Sequence, residues 1–353
     1  STLLASSAAS DVYKRQTYIV GQFGGKHALG GIQATMVLTE LCIGFCVGVG
    51  AGCAVITGQF FGQHDDERLS RSVHTAMTLA LVGGIVFSIL GIVFVEPMLV
   101  LMNTPHELLA EGLAYARCYF AAMVAALLLN MGTALLRAVG DTKRPLYCLA
   151  AAGLINVVLN LVFVIGFSMS VAGVALATII SQTVSACMVT RMLMKEEGAL
   201  HLDLHHLGFH MGALKQILLI GLPAGLQSTV FSLSNVVIQS AVNSFGSIVV
   251  AGNSAASNLE GFVYTAMNAF AQAAVTFTSQ NMGARRYDNL DRVMRNCLLC
   301  SIVTGLVLGG GASLLGEQLL HFYSSDEVVV TAGLARMPVS YTHLRAHETP
   351  EHL

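Results

Sequence analysis

Apolar blocks of twenty residues or more follow one another along this sequence with only short polar loops between them. A helix that crosses a bilayer needs about 20 predominantly apolar residues, and only helices or closed barrels can span lipid, because every backbone N–H and C=O must be satisfied internally. Eight runs meet that length: Gly30–Thr57, Val73–Val95, Gly112–Leu136, Leu146–Phe167, Val171–Met194, Ile217–Asn243, Ile248–Phe277 and Met294–Leu315. Thr17–Phe23 reads as the tail of an earlier helix and Val328–Val339 as the start of a later one. The expected class is therefore an all-α polytopic membrane protein. With 11% charged residues and a net charge of −2, the chain has no basic footprint for nucleic acid and too little polar surface for a soluble enzyme. Six of its cysteines (Cys42, Cys46, Cys53, Cys118, Cys148, Cys187) lie inside apolar runs and read as small buried hydrophobes.

Lys and Arg set the orientation. Arg68 and Arg71, then Arg137, Lys143 and Arg144, then Arg191, Lys195 and Lys215, then Arg285, Arg286, Arg292 and Arg295 occupy alternate loops. The intervening loops hold Lys26 alone, so the Arg-rich side is expected to face the cytoplasm.

An internal repeat is visible. Gln59-Phe60-Phe61-Gly62 closes one span and Gln280-Asn281-Met282-Gly283 another, each followed by arginines; Phe23-Gly24 with Gly30 is answered by Phe245-Gly246 with Gly252. Both pairings share one offset to within a single position, and six spans return the chain to the same side, so the repeat is parallel. Such repeats place a substrate site between their halves near mid-membrane. The linker between them, 196–214, carries His201, His205, His206 and His210. Without cysteine or paired carboxylates in ligand geometry it reads as a solvated cytoplasmic linker, and no metal site is expected.

Val20-Gly21-Gln22-Phe23-Gly24-Gly25, Gln59-Phe60-Phe61-Gly62, Arg137 to Pro145 (RAVGDTKRP), Asn156 with Asn160, Gly173 to Thr178 with Ser181-Gln182, Gly221-Leu222-Pro223, and Gln280 with Gly283 together resemble the multidrug and toxic compound extrusion (MATE) family of secondary transporters. The resemblance covers about residues 17–337. It implies twelve helices in two six-helix lobes around a cleft that opens alternately to each side, and export of cationic or amphiphilic compounds against inward proton or sodium flow. The coupling ion would be H+ or Na+, with no other cofactor. By that count the chain holds the end of helix 1 and helices 2–6 at 17–195, the linker, and helices 7–9 with the start of helix 10 at 215–338, leaving the second lobe incomplete. Two departures matter. Gln16 stands where many members carry a first-helix acid, and Phe231 stands near another branch's helix-seven glutamate. Ser7–Gln16 and Val339–Thr349 resemble translated adapter or vector sequence, so 1–16 and 339–353 are expected to be non-native and the native protein to continue beyond both joins.

A carboxylate at the centre of a spanning helix costs ~2.5–3.5 kcal/mol and is a functional candidate by default. Glu260 and Glu40 qualify, and they stand at matching positions, to within one, ahead of the two Gln anchors. Asn235, Gln239 and Asn243 recur at intervals of four on the seventh helix, with Gln227 upstream; Asn268 and Gln272 form a similar stripe on the eighth. Either a cleft lining or amide packing between helices accounts for these stripes. Packing is the better reading for Asn156 and Asn160. Arg117 is placed to snorkel to the outer interface. Pro223 suits either a bend or a helix start. The expected cation and substrate site is thus Glu260, Glu40, Asn235, Gln239, Gln227 and Asn268. The expected function is proton- or sodium-coupled antiport by a monomer in a bacterial inner membrane. A lipid-linked oligosaccharide flippase is the alternative, which the scarcity of Lys and Arg inside the spans disfavours. No nucleophile–base or metal-cluster motif suggests an enzyme.

Overall fold

A computed structural model describes residues 25–101, 106–167, 169, 171–243, 245, 247–321, 327–328 and 330–336. The two terminal segments singled out above, and Thr17–Phe23, lie outside these residues. The described residues are mostly helical, with no strand among them. In chain order the helices are α1 (Gly25–Gln63), α2 (Asp66–Leu101), α3 (His106–Ala121), α4 (Met123–Ala138), α5 (Lys143–Asn160, continued by a π-helical turn at Leu161–Gly166), α6 (Val171–Met194), α7 (Met211–Asn243), α8 (Ser247–Gly283), α9 (Leu290–Leu314), α10 (Gly316–His321) and α11 (330–336).

Among these, six helices are long and apolar enough to cross a membrane, or seven when the bent pair α3–α4 counts as one. The seventh expected span, α8, runs for 37 residues but carries Asn253, Asn258, Glu260, Asn268 and Gln272, and that polar load keeps it below the apolarity of its neighbours. On α2 the bulky residues Val82, Ile85, Val86, Ile89, Val93 and Phe94 are all uncovered by protein. A helical stripe of this size would be a liability in water and is a surface for acyl chains in lipid. Cys187 is exposed on α6 in the same sense, whereas Cys46, Cys53 and Cys148 are buried as expected.

The chain divides into two compact units. One is the chain up to Leu233 with Gly283–Arg285; the other is Ser234–Met282 with Arg286 onwards, so α7 begins in the first and ends in the second. In the first unit, Val73, Leu99, Met123, Met131, Leu135, Leu136, Leu193 and Ile217 are fully buried. Here α1 meets α7 along a ladder of small residues. A Cβ on Gly48 would lie 2.3 Å from the Gly225 Cα, and one on Gly52 2.5 Å from the Gly221 nitrogen. Only glycine allows backbones this close, the contact that substitutes for a hydrophobic drive between helices in lipid.

The third expected span is bent by 48° between α3 and α4. No proline or glycine stands at Ala122. Instead Ser88 on α2 donates its hydroxyl to the Phe120 carbonyl at 2.6 Å, competing for an acceptor of the helix ladder. Ser88→Ala is expected to cost about 1 kcal/mol, read as a lower melting temperature in detergent, with Ser88→Thr restoring it.

The Gly-Asp-Thr-Lys loop has a local cause. Gly140 takes φ +91°, and the Asp141 carboxylate then accepts the Lys143 and Arg144 N–H groups at 3.0 and 3.2 Å, capping α5. Arg144 also pairs with Asp141 and Glu196, tying this cap to the end of α6.

The linker is not simply solvated, and this corrects the sequence reading. Leu202 and Leu200 are buried in the core of the first unit. His74 donates from Nδ1 to the Ser70 carbonyl at 2.8 Å, which leaves Nε2 to accept the Asp203 N–H at 3.1 Å; the His210 N–H reaches Thr75. The Asp203 carboxyl is held below the usual carboxylate range by the His205 N–H first and the His206 ring second. That local support is present above the ordinary carboxylate value and is lost as acid titrates the lowered one. Among the described residues no group of three or more His, Cys, Asp or Glu side chains is placed to hold a metal ion. Pro223 also resolves: α7 starts at Met211, so the proline sits inside the helix rather than at its start.

The two repeat anchors fold alike. His64 and Arg285, related by the same offset as the Gln anchors, are the non-glycine residues with left-handed backbone among those described, at φ 55° and 56°. In the same register the Asp65 N–H bonds to the Phe60 carbonyl (3.2 Å) and the Arg286 N–H to the Asn281 carbonyl (2.9 Å). Both turns end their helix by the same return bond to a carbonyl of its last turn.

Candidate functional site

Glu260 lies well inside α8, and its side chain is 15% exposed. One oxygen, Oε2, accepts from Arg336 Nη2 at 2.9 Å. The other, Oε1, is buried with no hydrogen-bond partner among the described residues. Arg336 on α11 is held by the same face of α8: it donates to the Asn253 carbonyl at 3.0 Å, to the Asn253 side chain, and to Ser257 Oγ at 2.6 Å. Asn253, Ser257 and Glu260 fall at i, i+4 and i+7, one stripe of the helix. Ala256, Leu259, Leu320 and Val330 form the apolar core beside it.

Arg336 is the residue that sequence reasoning missed. It lies 76 positions from Glu260, in the short run judged only as the start of a span. A basic residue inside an apolar run was the available signal, since such a charge is found facing a partner. The arrangement has one definite chemical capacity. A carboxylate with one oxygen on an internal cation and one buried oxygen without a partner among the described residues can take a proton or a cation on its free side, in competition with the arginine.

The other expected site residues are placed less tightly. Glu40 lies on α1, but its side chain is outside the description, as is that of Gln239 on α7. Gln227 and Asn235 are exposed on α7, and Asn268 is half-buried on α8. Glu260 bonds to none of them among the described residues; its partner is Arg336.

A second polar cluster lies between α5 and α6. Asn160 donates to Asn156 Oδ1 at 2.8 Å, Asn156 to Ser181 Oγ at 3.2 Å, and Ser181 to the Thr178 carbonyl at 3.0 Å. Both asparagines are buried, and Asn160 Oδ1 has no donor among the described residues at the point where α5 widens into its π turn. The helix-to-helix bonding expected of this pair is present, together with an acceptor it leaves unused. Arg117 pairs with a carboxylate: its Nη2 lies 2.7 Å from Glu96 Oε2, both side chains about half exposed.

The fold and sequence have known counterparts. Residues 15–162 and 223–342 match the family model described as MatE. The chain is 29% identical over 315 residues to YoeA of Bacillus subtilis, described as a probable multidrug resistance protein, covering 87% of this chain and 68% of YoeA. It is 24% identical over 322 residues to an FAD transporter of Shewanella oneidensis, covering 89% of this chain and 70% of that protein. A solved outward-facing multidrug resistance MATE family transporter superposes with a TM-score of 0.85 at 20% identity, over 95% of this chain and 75% of the other. With a model matching most of its residues, a solved relative of the same fold and a run of helices built for lipid, the chain belongs to the MatE family of multi-pass membrane transporters.

Proposed function

We propose that this protein is a secondary active efflux transporter that exchanges cationic or amphiphilic small molecules for protons or sodium ions by alternating access, as a monomer in a bacterial inner membrane. The carrying observation is Glu260, a carboxylate well inside a 37-residue helix with one oxygen buried and without a partner among the described residues. It is the group able to take up the coupling cation. Glu40, at the matching register of α1, is its counterpart, and Gln227, Asn235, Gln239 and Asn268 supply amides for the cargo. The family membership and the drug-resistance description of YoeA support this reading. A flippase is not favoured: Arg117 and Arg336 are each engaged by a carboxylate, which a diphosphate lipid would have to displace.

The test is transport by the full gene product in proteoliposomes. An imposed proton or sodium gradient should drive counter-movement of an organic cation such as ethidium. No gradient-driven movement of ethidium, with FAD carried in the same vesicles, would replace this reading with an anionic cargo. Orientation is tested by cysteine labelling in intact cells. Ser70→Cys should be shielded from an impermeant reagent and Phe245→Cys should react; the reverse pattern would overturn the cytoplasmic placement of the Arg-rich loops.

A further inference from the structure

The repeat relates more than the helix ends. Glu40 is answered by Glu260, Glu96 by Glu317 and Arg117 by Arg336, all at the offset of the Gln anchors to within two positions. Each half therefore holds one arginine and two glutamates at equivalent positions. The surrounding packing corresponds too. α3, which carries Arg117, packs on both α1 and α2. α11, which carries Arg336, packs on α8 and α10: a Cβ on Gly333 would lie 3.2 Å from the Gly252 carbonyl and 3.0 Å from Leu320. Leu99 and Leu320, related by the same offset, are both fully buried beside these contacts.

The two copies differ in which glutamate the arginine holds. In the first, Arg117 is on Glu96, whose side chain is 53% exposed. In the second, Arg336 is on Glu260, 15% exposed, while Glu317 is exposed. We propose that each arginine is an exchange cation with two alternative partners, a deep carboxylate (Glu40 or Glu260) and a rim carboxylate (Glu96 or Glu317), and that the two halves display the two states. Neutralising the deep carboxylate with a proton, a metal cation or a cationic substrate removes the arginine's counter-charge and hands it to the rim. The helix carrying the arginine moves with it, so cation occupancy becomes helix position. A buried pair that loses one charge becomes costly, whereas a rim pair in water costs little to make or break, and this asymmetry favours the exchange.

The charged groups around the second copy agree. On α10 and at 327 they are Glu317, His321 and Glu327, with His321 Nε2 3.9 Å from Glu327; Tyr264 follows Glu260 by one turn of α8; and the charges of α9 (Asp291, Arg292, Arg295) sit in its first two turns. The first copy carries His106, Glu107 and Glu111 in sequence between Glu96 and Arg117. Among these groups Arg336 supplies the fixed positive charge at Glu260.

The inference rests on Glu260 being the cation-binding carboxylate, but its test reads partner choice rather than transport. Melting temperatures of the full gene product in detergent would be measured for Glu317→Gln in the wild-type and Glu260→Gln backgrounds, each with and without Arg336→Gln. In the wild-type background Glu317→Gln should shift the melting temperature by less than about 1 °C. With Glu260 neutralised it should cost roughly 2–4 °C, and that cost should vanish when Arg336→Gln is added. Arg336→Lys, which keeps the charge, should retain it. In the first copy Glu96→Gln should be coupled to Arg117→Gln without any change at Glu40, a measurement that stands even if Glu260→Gln fails to assemble. Equal effects of Glu317→Gln in both backgrounds, or no coupling between Glu96 and Arg117, would overturn the exchange. Normal transport by Glu260→Gln would instead remove the functional reading and leave the exchange standing or falling on the melts.

Discussion

Glu260→Gln is expected to abolish gradient-driven export while the protein still assembles in the membrane. The amide cannot take a proton or hold a cation, so the coupling step has no carrier. It also leaves Arg336 without its counter-charge in a partly buried setting, a loss of about 3 kcal/mol for a pair of this kind. Asn253 and Ser257 still accept from the guanidinium, which limits the damage and keeps the fold within reach. The check is transport in vesicles across the pH range, beside a melting curve. Wild-type export by a well-folded Glu260→Gln protein would remove Glu260 from the mechanism. Arg336→Gln separates the roles: it should lower stability by a similar amount and shift the sodium or proton concentration for half-maximal transport on the order of tenfold, because the deep carboxylate loses its built-in competitor.

Gly48→Ala should be the most damaging single-methyl change in the first unit. The added carbon would stand 2.3 Å from the Gly225 Cα and nitrogen, and backbone on two packed helices cannot turn aside as a side chain would. A cost of about 3 kcal/mol, with loss of monodisperse protein, is expected. Gly50→Ala on the same helix is the control, since its Cβ would meet nothing within 4 Å. That change should be neutral, or slightly stabilising through reduced backbone freedom. Equal melting temperatures for the two variants would show that the α1–α7 contact does not hold the fold.

Much of the architecture was legible because membrane helices are written in local composition. A run of apolar residues long enough to cross lipid has few alternatives to a helix, and all eight expected runs fall on helices, one of them bent. The Gln-anchored repeat was readable for a related reason: Gly62 and Gly283 mark helix ends, and the residues after them adopt the same left-handed turn. Glu260 and Glu40 stood out because carboxylates are expensive in lipid. The bend at Ala122 was not readable, since its agent, Ser88, lies far off in sequence on another helix and nothing in the local run breaks the pattern. The docking of the linker was hidden similarly, because Leu200 and Leu202 are isolated among histidines and find their cover only in the folded core.

The sequence by itself therefore determined the lipid-spanning class, the helices and their order, and the candidate carboxylates, all properties carried by composition and spacing along the chain. Only the tertiary structure decided which charges meet. Glu260 holds Arg336 rather than an amide of its own stripe, Arg117 holds Glu96, and α1 lies backbone to backbone on α7. The physical reason is range: desolvation is felt residue by residue and leaves its mark in the sequence, whereas an ion pair or a glycine contact exists only when two distant helices are brought within a few ångströms.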